Sequence, residues 1–110
     1  MNTLEDVKKI MQRSFYETAA EMQKVEDLSK IKEGARIAEL RFAEGLQELE
    51  KLKLSKDDRR HFKLLREAYL DIIKSIQYIQ KGNHVMANRY SLQSGEKAFR
   101  YAQARMRLSE

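Results

Sequence analysis

Few side chains in this sequence could do chemistry, and their spacing limits what that chemistry would be. There are two histidines, His61 and His84, and no cysteine. Without Cys there is no disulfide, no thiolate metal site and no Cys nucleophile. Asp58-x-x-His61 puts a carboxylate and an imidazole one helical turn apart, a spacing that di-metal helical bundles use. Such sites need two Glu-x-x-His pairs and two further inward Glu residues. Here one pair stands, with Asp, just after Ser55, where a helix is expected to begin. It reads as a cap followed by a first-turn histidine, and His84 as a solvated residue beside a turn. No Arg lies four to six residues before either His, as a helical ribonuclease site would require. No Ser has a His and an acid at triad-like spacing, and no Gly-rich phosphate loop is present. The polar residues on inward-facing stripes are Ser14, Thr18, Ser75, Ser91, Ser94 and Arg105. Hydroxyls at such positions can bond back to the preceding helical turn. No catalytic or metal-binding residue is assigned, no cofactor or small-molecule substrate is evident, and the chain is not expected to be an enzyme.

The elements that would position any site are helices. Thr3-x-x-Asp6 and Ser55-x-x-Asp58 are capping-box variants, with acids favouring the positive end of the helix dipole. Ser29 opens a further segment, and Lys81-Gly82-Asn83 reads as a helix stop followed by a start. Between these caps the apolar residues recur at three and four. The stripes run Leu4, Val7, Met11, Phe15, Thr18, Met22 and Val25; then Ile31, Ala35, Ala38, Phe42, Leu46, Leu49 and Leu52; then Phe62, Leu65, Tyr69, Ile72, Ile76 and Ile79. In the last segment Val85, Leu92, Phe99 and Met106 recur at seven, flanked by Tyr90, Tyr101 and Leu108. The 110 residues, with no Pro and only 4 Gly, suit one domain over 1–110. The expected fold is all-α, an antiparallel up-down-up-down four-helix bundle with helices near 4–27, 30–54, 56–81 and 84–108. Each would be about 36–39 Å long, and short links imply antiparallel neighbours. Asp27-Leu28-Ser29 holds no Gly or Pro, so a single long helix through the first joint is the alternative, giving a swapped or dimeric bundle.

Helical wheels give the third helix the widest apolar arc, so it should be the most buried. The fourth has small residues, Ala87, Ser91, Ser94, Gly95, Ala98 and Ala102, along the middle of its apolar face. The second carries Gly34, Ala38 and Gly45. Small residues allow close helix approach; a groove that a partner helix fills is the other reading.

Charge is the informative feature. Formal net charge is +5. Residues 1–50 hold 8 basic and 11 acidic residues, and residues 51–110 hold 14 and 6. The second hairpin should therefore present a basic surface, with Lys63, Arg66, Lys74, Lys81, Arg89, Arg100 and Arg107 as its candidates. Three uses compete: an ordinary solvated face, with Glu96 and Arg100 paired at i, i+4; contact with an acidic protein or a second copy; or contact with nucleic acid phosphates. Against the last, Tyr90, Phe99 and Tyr101 fall on the apolar arc, which leaves the basic face without an aromatic platform. Among apolar residues off their stripes (Tyr16, Ile37, Leu40, Leu70, Tyr78), Ile37 and Leu40 are the candidates for self-association.

The start of the sequence has acids where a signal peptide has bases, and no apolar run exceeds three residues. No membrane span and a cytoplasmic location are expected; a membrane-surface role for the basic fourth helix is the weakest reading. Lys81-Gly82-Asn83 with Ala87, Tyr90 and Ala98 resembles the hairpin of MIT and tetratricopeptide-like helical domains over residues 76–102. The helices here are about twice as long as tetratricopeptide ones, and the pattern does not recur in the first half, so no functional residue is carried over. The size and helical character are also similar to those of secretion-system chaperones and bacteriocin immunity proteins, with no motif selecting either. The expected function is a non-enzymatic interaction or adaptor bundle. It would associate with itself, as a homodimer for example, and offer its basic hairpin to an acidic protein partner. The alternative is a nucleic-acid-associated protein.

Overall fold

A computed structural model describes residues 1–25 and 27–106, apart from the side chains of Leu28 and Met106. All regular elements among them are helical. They are α1 (Leu4–Met11), a π-helical turn (Gln12–Tyr16), α2 (Glu17–Gln23), α3 (Leu28–Glu50), α4 (Lys56–Gln80) and α5 (His84–Met106). α1, the π turn and α2 run on as one rod. Rod, α3, α4 and α5 alternate in direction and form a four-helix bundle measuring 44 × 21 × 20 Å.

The caps explain the boundaries. The Asp6 carboxylate accepts the Thr3 backbone N–H at 2.8 Å and starts α1; that bond holds the Asp6 carboxyl below the usual carboxylate range. The rod ends at Gln23, before the expected 27. Asp27 is extended (φ −89°, ψ 116°), and its carboxylate accepts both the backbone N–H and the hydroxyl of Ser29, at 2.9 and 2.8 Å. Asp27, not Ser29, is therefore the N-cap, and the hairpin displaces the one-long-helix alternative. Arg41–Glu21 and Arg13–Glu48 ion pairs tie α3 back onto the rod. α3 stops at Glu50, short of 54, because the chain beyond it is held by the N-terminus. The Asn2 backbone N–H donates to the Lys53 carbonyl at 2.8 Å, and Lys53 N–H donates to Asn2 Oδ1 at 2.7 Å. Ser55 caps α4. Gly82 takes φ +78°, the left-handed turn where a side chain would be strained, and Asn83 caps α5 through Met86 N–H at 3.2 Å.

One core joins the stripes: Val7, Met11 and Phe15 from the rod, Ala35, Ala38, Phe42, Leu46 and Leu49 from α3, Leu65, Ala68, Tyr69 and Ile76 from α4, Ala98 and Tyr101 from α5. α4 lies between α3 and α5 and also meets the rod, as its wide apolar arc implies. The π turn has no counterpart in the expected helix. It buries the consecutive residues Ser14 and Phe15 against α3 and α4. Ser14 Oγ donates to the Ile10 carbonyl at 2.6 Å, so the Tyr69 hydroxyl, also at 2.6 Å, donates to Ser14. Burial raises the Tyr69 pKa well above its ordinary value. Close passage of α3 here depends on Gly45. A Cβ at that position would sit 2.2 Å from Ser14 Oγ and 3.2 Å from Tyr69.

α5 packs its small strip as its helical wheel implies, but not its bulky heptad row. Its small residues, not its bulky ones, face α4. Ser94 Oγ donates to the Ala68 carbonyl at 2.7 Å, and Ser75 Oγ donates to the Ala87 carbonyl at 2.6 Å. These hydroxyls bond across the hairpin rather than back along their own helices. Ala87, Ser94, Ala98 and Tyr101 are buried, while Val85, Leu92 and Phe99 are 73%, 76% and 62% exposed. Placing those three in the core was incorrect: two cross-helix hydroxyl bonds and close approach at alanine and serine outweigh the bulky stripe. Met106 and Leu108 of that stripe, like the expected helix end at 108, lie outside the described residues or side chains.

Candidate functional site

The α4–α5 hairpin holds the basic candidates. At 100° per residue, Lys63, Lys74 and Lys81 share the outward side of α4, and Arg89 and Arg100 share the flank of α5 on the same side of the bundle. All five are exposed. Lys63 and Lys81 lie roughly 27 Å apart along α4. Arg66 is turned toward the other edge, where its Nε donates to Glu50 of α3 at 3.0 Å. Arg107 lies outside the described residues. Acids on this face are engaged locally. Lys97 Nζ lies 2.8 Å from Asp71 and 3.8 Å from Glu67, and the Asp71 bond raises the Lys97 pKa. Arg100 pairs with Glu96 at 2.6 Å.

An aromatic pair sits among these cations. Tyr78 and Tyr90 stack across the hairpin, with centroids 5.7 Å apart and planes at 11°. Lys74 Nζ is 5.0 Å from the Tyr90 centroid and Lys81 Nζ 5.7 Å from that of Tyr78. Tyr90 is thus half-buried at the surface instead of in the core, and the basic face is not devoid of aromatics. Tyr78 stands four residues before Gly82 and Tyr90 eight residues after it, so no matching distance from the turn marked the pair. Tyr78 had been set aside as an isolated off-stripe residue. The cation–π contacts hold the two ammonium groups close to the hairpin surface.

The apolar candidates separate. Ile37 is 45% and Leu40 54% exposed. Ile37 lines a shallow groove between α2 and α3 with Thr18, Met22, Val25 and Gly34; Leu40 points away from it. The larger apolar exposure is the Val85, Leu92 and Phe99 strip of α5, next to a second groove formed by Ala19, Met22 and Gln23 on one wall, Ser91 on the other, and Ile72, Ile76 and Ile79 at its base. Gly95, on the same side of α5, has none of the described residues within 4 Å of a Cβ built on it.

The ionisable residues at the other end of the bundle are structural. Asp58 is buried and pairs with Arg105 of α5, with Tyr101 beside them. His61 Nδ1 lies 3.0 Å from the Asp57 carbonyl. Asp58 therefore holds α5 in place, and the Asp58-x-x-His61 spacing does not converge on one point. Among the described residues no group of three or more His, Cys, Asp or Glu side chains could hold a metal ion, and no helix is long and apolar enough to cross a membrane.

Neither a protein-family model, nor a curated protein, nor a solved structure matches this chain.

Proposed function

We propose that this protein is a non-enzymatic interaction bundle that associates with itself and presents the α4–α5 hairpin to an acidic protein surface. The observation that carries this reading is the cluster of Lys74 on Tyr90 and Lys81 on Tyr78, with the two rings stacked on each other. Two cations held against rings at a hairpin that is basic along both helices form a pre-ordered patch for carboxylates. Each ring already carries a neighbouring ring and a lysine, which leaves little free π-face for stacking a nucleic acid base. That favours a protein partner over a nucleic acid one.

The test is fluorescence anisotropy with a labelled peptide rich in Asp and Glu, with a short DNA duplex measured in parallel. The acidic peptide should bind, and the Lys74→Glu/Lys81→Glu double variant should lose that binding. Binding of the duplex alone, falling steeply between about 50 and 200 mM salt, would overturn this reading in favour of phosphate contact.

A further inference from the structure

The outward strip of α5 is unpartnered yet patterned. Val85, Leu92 and Phe99 recur at seven residues, and beside them at the same interval stand Asn88, Gly95 and Ala102. One row is bulky and more than three-fifths exposed; the other is small. Gly95 is unfavourable in a helix interior, and among the described residues no neighbour requires it, since none lies within 4 Å of a Cβ built there.

We infer that this strip is the contact with a second copy of the chain, the two α5 helices lying antiparallel across a two-fold axis. The inference rests on the self-association part of the proposed function and names its surface. A two-fold contact must be complementary to itself. With Leu92 set opposite Gly95 of the second copy, Val85 falls opposite Ala102 of that copy and Phe99 opposite its Asn88. Every bulky residue then meets a small one, so the helices can approach closely with knobs seated in holes. The same register brings Glu96 beside Arg89 of the second copy, and Arg89 beside its Glu96. The charges on the edge of the strip are thus opposite in sign where they meet. Few sequences would satisfy the size pairing and the charge pairing in one register by accident of composition. A second copy is therefore the occupant that fits. Lys63, Lys74 and Lys81 of α4 lie outside the strip and stay exposed in the dimer.

Sedimentation equilibrium of the full chain over a range of concentrations tests this, with thermal melting of each variant alongside. The chain should dimerise. Gly95→Leu should weaken the dimer by about 10- to 100-fold, because it places two bulky residues in one layer, while leaving the melting temperature of the dilute monomer unchanged or higher. Arg89→Glu and Glu96→Arg should each weaken the dimer, and the double variant should restore it. A chain that is monomeric throughout overturns both the inference and the self-association reading. A dimer untouched by Gly95→Leu but lost in Ile37→Glu/Leu40→Glu overturns the inference and leaves self-association standing. Failure of the charge reversal to restore the dimer overturns the register.

Discussion

Gly45→Ala is the most exacting test of the packing. The added methyl would lie 2.2 Å from Ser14 Oγ, 2.3 Å from Ser14 Cβ and 3.2 Å from a Tyr69 ring carbon. The Cβ of Ser14 cannot rotate away, so either α3 moves out or the π turn moves in. Overpacking of this kind costs about 1–3 kcal/mol. If Ser14 shifts, the buried Tyr69 hydroxyl loses its acceptor, a further cost of about 1–3 kcal/mol. Alanine's better helix propensity offsets only about 1 kcal/mol. The expected net loss is about 2–4 kcal/mol. Urea denaturation followed by far-UV circular dichroism reads this as a midpoint lowered by about 1–2 M. Gly34→Ala is the control. Its nearest neighbour is Val25 Cγ2 at 3.6 Å, so it should be neutral or stabilise by up to about 1 kcal/mol. Removing the Ser14 side chain should largely abolish the penalty, so Ser14→Gly/Gly45→Ala should be no less stable than Ser14→Gly. A Gly45→Ala protein as stable as Gly34→Ala would refute the close passage of α3 over the π turn.

Further predictions concern the polar groups in the bundle. Ser14→Ala should cost about 1–3 kcal/mol by stranding the Tyr69 hydroxyl, and much of that cost should vanish in a Tyr69→Phe background; additive costs in a double-mutant cycle would contradict the bond. Arg105→Ala should destabilise by about 2–4 kcal/mol, since Asp58 keeps a buried charge without its partner; denaturant midpoints check it, and a neutral effect would show the pair to be incidental. Burial pushes the Tyr101 pKa up to about 12, with Asp58 adding to the shift and Arg105 opposing it. The folded chain therefore holds a proton that the unfolded chain releases near pH 10. That contribution to stability is complete below about pH 10 and is lost as the pH rises through about 12. Urea midpoints across this range should fall less steeply for Tyr101→Phe than for the parent, and identical slopes would contradict the assignment.

The helices, their antiparallel order and three of the four caps are legible in the sequence because capping and periodicity are local. Ser29 was the exception. Asp27, two residues earlier, accepts the backbone N–H and the hydroxyl of Ser29 and takes the cap position itself. The π turn has no comparable local sign; it exists because Ser14, Phe15, Gly45 and Tyr69 meet in three dimensions. The bulky heptad row of α5 was misplaced for a related reason. A seven-residue bulky stripe suits a helix contact, but its spacing does not say which side of the helix packs within the chain. Ser94 and Ser75 reach carbonyls on the facing helix, and that fixed which side turned inward. Lys63, Lys74, Lys81, Arg89 and Arg100 are exposed, while Arg66 turns to Glu50 of the neighbouring helix α3, a partner no single-helix wheel shows.

The most direct test of the account is a residue-resolved amide NMR titration of the full chain, first by dilution and then with a Glu-rich peptide. Dilution should move the signals around Val85, Leu92, Gly95 and Phe99. The peptide should move those of Lys63, Lys74, Tyr78, Lys81 and Tyr90. Two responses on separate flanks of the α4–α5 hairpin are the predicted result. Responses confined to the rod and α3, or none from either titration, would contradict it.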